Sequence, residues 1–124
     1  MNPITEARIA VVDALVASGV NAYGFTPPTL IPPLAIVQAG SPWLEPDRIG
    51  PDFAARITMR VECIVNVVDA ATAITALEEL VIGVLAGLPE AVLTTSVEAP
   101  AVGGTGSQGD TLQADVLITA HIKE

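Results

Sequence analysis

The segment FAARITMRVECIV, residues 53–65, decides the fold. Ala55, Ile57, Met59, Val61, Cys63 and Val65 are all apolar, while Arg56, Thr58, Arg60 and Glu62 between them are polar. Side chains on a strand point alternately to its two faces, so this is one long strand with a buried face and a second face open to water or a partner. Only Ala54 and Ile64 soften the polar side. Cys63 falls on the apolar face and reads as a small buried hydrophobe rather than a nucleophile.

Upstream, Asn2 and Pro3 open a helix: a side-chain cap, then a residue whose missing N–H does no harm in the first turn. Glu6 adds negative charge near the positive end of the helix dipole. Ile4, Ala7, Val11 and Leu15 form one stripe, widened by Val12 and Val16, and Gly19 supplies the stop. Val20–Gly24 is a short strand. FTPPTLIPP, residues 25–33, then removes four backbone donors with its proline pairs, so it cannot lie inside a sheet. It reads as a rigid connector rather than as a ligand for an SH3-type domain. Leu34–Ala39 is a second, largely apolar strand. GSPWLEPDRIGPD, residues 40–52, is expected as a long loop. Trp43 in it either packs in a small cluster beneath the loop or anchors in a partner's pocket.

Downstream, Asp69 caps a second helix. Ala73, Ile74, Leu77, Val81, Val84 and Leu88 recur at spacings of three and four, with Leu80 and Leu85 beside them, and Gly87 and Pro89 end it. Thr72, Thr75, Glu78 and Glu79 face away. Neighbouring helical residues point about 100° apart, so Glu78 and Glu79 are a solvated face and not an acid–base pair. Two alternating strands follow, Leu93–Ala99 and Leu112–Ile122. Between them Gly104, Gly106 and Gly109 spell GxGxxG, but a dinucleotide loop must open a helix and strand periodicity follows here. A hairpin tip is expected instead. His121 lies on the polar side of the last strand.

The order of elements predicts an α+β fold: a mixed, mostly antiparallel four- to five-stranded sheet with two helices packed on one face. The long strand and the strand after the second helix should run parallel through a right-handed crossover. The loops at 40–52 and 100–110 should then lie at opposite poles.

A chain of 124 residues is one domain, 1–124, by size. Its residues are 51% hydrophobic and only 15% charged, against roughly 25% in soluble domains, so part of its surface is expected to be covered by other copies. The uncharged run 14–44 is too rich in proline and glycine to span a membrane, and Glu6 sits where a signal peptide carries positive charge. Fourteen acids oppose five bases, Arg8, Arg48, Arg56, Arg60 and Lys123, giving a net charge of −9 with no basic stripe for phosphates. One cysteine and one histidine make neither an internal disulfide nor a zinc site. With no nucleophile–base pair, metal cluster or phosphate cradle, no catalytic, cofactor or metal residue is assigned, and a non-enzymatic role is expected.

The helix ending at SGV, the VNAYGF strand, the PPTLIPP connector and the LAIVQAGSPWLEP segment precede the long strand. After it come the LEELVIGVLAGL helix and a final alternating strand. Taken together this layout resembles the tail terminator proteins of long-tailed bacteriophages, especially those infecting actinobacteria. The likeness covers nearly the whole chain and rests on no single motif. It implies a hexameric ring that caps the tail tube, stops its polymerisation and receives the head connector or stopper. DNA would pass through unbound, which suits a negative net charge. The protein would be made in the host cytoplasm and end in the virion, at the head-proximal end of the tail. For subunit or partner contacts the expected residues are Trp43, Arg48, Arg56, Arg60 and Glu62, the strand charges pairing between copies. Another head-to-tail joining ring, or a small dimeric binding module, are the alternatives.

Overall fold

The computed structural model describes residues 2–46, 53–106 and 109–123. Helix α1 spans Pro3–Ala17 and α2 Ala70–Gly87. The strands are β1 (Ala22–Tyr23), β2 (Leu34–Pro46), β3 (Ala54–Asn66), β4 (Leu93–Val97), β5 (Ala101–Gly106) and β6 (Gly109–Lys123). They form one sheet in the order β1-β2-β3-β6-β4, with β5 also paired to β6. Only β1 and β2 pair in parallel; every other pair is antiparallel. This is an α+β fold with a mixed, mostly antiparallel sheet and both helices on one face.

Local chemistry sets the helix ends. The Asn2 Oδ1 accepts the Thr5 N–H at 2.7 Å, and the Asp69 Oδ1 accepts that of Thr72 at 2.9 Å. At the end of α1, Gly19 adopts φ 96°, a conformation that side chains with a Cβ rarely enter. That turn lets the Gly19 and Val20 N–H groups reach the Val16 and Leu15 carbonyls at 3.0 and 2.9 Å, which closes the helix with a Schellman motif.

β3 is the central strand, paired along its whole length with β6. Its Ala55, Ile57, Met59, Val61, Cys63 and Val65 are all buried, with Ala114, Val116, Ile118 and Ile122 of β6 on the same side. Val11 and Leu15 of α1 and Ala73, Leu77 and Val84 of α2 close over them. Each large side chain so buried contributes about 1.5–3 kcal/mol before chain entropy is subtracted. The stripe on α1 is narrower than the spacing implies, since Val16 is exposed.

A second, smaller core lies on the opposite face. Leu34, Ile36 and Ile64 are buried there beneath Tyr23 of β1 and Leu30 of the proline-rich connector. The first part of β2 is therefore covered on both sides, which is why Leu34, Ala35, Ile36 and Val37 read as a continuous apolar run.

Three expectations change. Residues 40–46 are not loop but the continuation of β2. Between the pairs Ala39–Met59 and Leu44–Ile57, four residues of β2 stand opposite Thr58 alone, and this bulge takes Pro42 out of the ladder. The glycine-rich stretch after Pro100 is mostly paired backbone, β5 against β6, down to Gly106 opposite Gly109. It adds a sixth strand among the described residues, and no helix follows its GxGxxG. Lastly, β4 does not keep simple alternation. A register shift between Thr94 and Ser96 turns Leu93 to the open face and Val97 to the helix face.

β3 and β4 are both antiparallel to β6 and so run parallel to each other, with β6 between them rather than as neighbours. The pair Pro46–Ala55 marks one end of the sheet and Gly106–Gly109 the other.

Candidate interaction surface

The sheet face away from the helices carries the polar residues of β3 in rows fixed by register. Glu45, Arg56 and His121 form one row; Gln38, Arg60, Leu117 and Ser96 the next but one; then Ile36, Glu62 and Asp115. Glu62 and Asp115 are thus directly opposed carboxylates, an unfavourable pairing on its own. Two groups offset it. The Gln113 amide donates to Glu62 at 2.9 Å and to Asp115 at 3.1 Å. The Arg60 guanidinium lies 3.7 Å from Glu62 and 3.6 Å from Asp115. The Arg60 Nε is buried with no hydrogen bond, so it serves as charge rather than as a donor. The Arg56 guanidinium lies 3.8 Å from Glu45, and both side chains are about half exposed, 48% and 49%.

Both β3 arginines therefore have acidic neighbours within the chain. The sequence places them on the outer face but cannot name these partners, since Glu45, Gln113 and Asp115 arrive from other strands. Arg56 keeps half its surface for a further contact, whereas Arg60 and Glu62 belong to a tight internal network. Trp43 sits in the β2 bulge, 49% exposed, not packed in a cluster beneath it. Arg48 lies outside the described residues.

The open face also holds a trough of about 520 Å³ bounded by Glu45, Arg56, Leu93, Thr119 and His121. On the other side of the sheet edge, a mainly apolar groove of about 450 Å³ separates α2 from β4, lined by Leu77, Val81, Ile82 and Val97. The groove is not legible in the sequence, because Ile82 lies off the helix stripe and the alternation of Leu93–Ala99 does not show the register shift that turns Val97 to the helix side. Among the described residues, α2 is the one helix long and apolar enough to cross a membrane, with a mean hydropathy of 1.6. Ala73, Leu77 and Val84 pack on the sheet, while Glu78, Glu79, Ile82 and Leu85 are exposed.

No three His, Cys, Asp or Glu among the described residues come together to hold a metal ion. Burial, and secondarily the Asp115 charge, push the Cys63 thiol up to about 12. Searches against protein-family models and curated protein sequences return no match to this chain.

Proposed function

We propose that the chain is a structural subunit of a bacteriophage tail, a tail terminator whose copies form a hexameric ring on the end of the tail tube. The ring stops tube polymerisation and presents its other side to the head connector or stopper, while DNA passes through its channel. The protein assembles in the host cytoplasm and remains in the virion. The observation that carries this reading is where the apolar excess lies. Eleven large hydrophobic side chains are exposed among the described residues, including Phe25 (66%), Ile31 (70%), Trp43 (49%) and Leu93 (67%). Among the described residues, one sheet face carries no helix. A subunit with both features is suited to being covered by neighbours, and the two opposite ends of its sheet offer two sides for two partners. The family resemblance supplies what those partners are.

Light scattering combined with negative-stain images tests this, on the protein alone and with tail tubes. Rings near six times the 12.7 kDa chain mass, free or on tube ends, are expected. A ring that pellets with connectors and not with tubes would move the protein to the head-closure class. A compact dimer that ignores tubes and binds a small ligand would replace assembly with a binding module.

A further inference from the structure

The two edges of the sheet are built differently. The β2 edge is interrupted by its bulge, carries Pro42 and Pro46, and is paired at its start by β1. Those are the devices by which natural sheets prevent a further strand from adding. The β4 edge has none of them over Leu93–Val97 beyond the single register shift at Thr95. It has a strand on one side only, and Leu93 and Val97 are exposed along it.

Directly beside this bare edge lies the groove of about 450 Å³ under α2. Val97 points into the helix-side layer opposite Val116, and Ile82 of α2, 66% exposed, stands across from it. Glu78 on the helix and Glu98 just past β4 flank the groove, and neither has an ion pair among the described residues. We infer that this groove and edge together are a docking site for an extended segment of another protein. The segment adds as a strand beside β4, with apolar side chains at alternate positions in the groove and a lysine or arginine toward Glu78 and Glu98.

The charge of the site selects the occupant. A second copy brings a net charge of −9 to an acidic rim. A basic partner of different sequence is favoured on that ground. This docking requires no ring and stands apart from the assembly proposed above.

The test is an NMR titration of the full chain with a short capped peptide alternating valine with lysine and threonine. A second peptide carries glutamate in place of lysine. Saturable binding of the lysine peptide is expected, with amide shifts concentrated in Leu93–Val97 and at Ile82. Ile82→Lys, an exposed position whose change leaves the fold intact, should weaken it about ten-fold. Glu98→Lys should weaken the lysine peptide about five-fold and favour the glutamate peptide instead. Three results would overturn the docking: no saturation at millimolar peptide, shifts confined to the open face, or β4 shifts that follow protein concentration without peptide. The last would mean that a second copy occupies the edge.

Discussion

Arg60 on β3 and Asp115 on β6 lie 3.6 Å apart on the open face, with Glu62 completing the contact at 3.7 Å. The carboxylates oppose each other across the strands and are mostly shielded, at 16% and 18% side-chain exposure. Removing the cation leaves two like charges facing in a partly dry setting. Arg60→Ala should cost about 1–2 kcal/mol, between the values for surface and for buried pairs. Arg56→Ala, in a half-exposed pair, should cost no more than about 0.5 kcal/mol. Urea unfolding of the two variants checks the order. The same difference makes Arg56→Glu the cleaner probe of subunit contact, because Arg60→Glu would damage the chain itself.

Two glycines should respond in opposite directions to alanine. A β-carbon at Gly40 would lie 2.6 Å from the Thr58 Cγ2 and 3.1 Å from its carbonyl oxygen. Thr58 is β-branched and held in the central strand, so it has little room to move, and Gly40→Ala should destabilise by about 1–3 kcal/mol. At Gly83 in α2, the nearest atom to an added β-carbon is a Val20 methyl at 3.7 Å, an ordinary contact. Gly83→Ala should stabilise by about 0.5–1 kcal/mol through helix propensity. Thermal melts of both variants decide the signs.

The cap of α2 makes stability depend on acid. The hydrogen bond from the Thr72 backbone, and then that from its side chain, hold the Asp69 carboxyl below its ordinary 3.8. A carboxyl lowered on folding stabilises above its unfolded value, and that contribution disappears as pH falls through the lowered folded value. Asp69→Asn keeps an acceptor for the cap but has no proton to gain. Its unfolding free energy should therefore be flatter with pH below 3.8 than that of the parent, as measured by denaturant titration across that range.

Cys63 should be silent while the protein is folded. Its side chain is fully buried, and its thiol is raised from 9.0 to about 12 by burial first and the Asp115 charge second. A thiol raised on folding favours the native state below pH 9.0, and that support is lost as pH rises toward 12. A disulfide reagent at neutral pH should modify Cys63 only at the rate of unfolding, with immediate reaction in denaturant. Fast labelling of the native chain would contradict the placement of β3.

Much of this was legible from periodicity. The alternation of 53–65 and of 112–122 gave the two central strands, and the three–four spacing of Ala73, Leu77 and Val84 gave the face of α2 that packs. What escaped depends on long-range pairing. Pro42 marks a loop only until a bulge against Thr58 is known to remove it from the ladder. The glycines after Pro100 have no side chains with which to announce a strand, yet β6 supplies them with partners. Leu93 and Val97 look like one face until the shift at Thr95 separates them. The polar side of β3 announced a contact surface without naming its partners, because Asp115 and Gln113 reach Arg60 and Glu62 from a strand far along the chain.

The most direct measurement is tube capping. The purified protein is added to growing tubes of the tail-tube protein that the proposed function would pair it with, and tube ends and lengths are recorded by electron microscopy. A terminator gives shorter tubes with a ring of density at one end, and Arg56→Glu weakens that effect while the chain stays folded. Tubes of unchanged length with bare ends, at protein concentrations well above that of the ends, would contradict it.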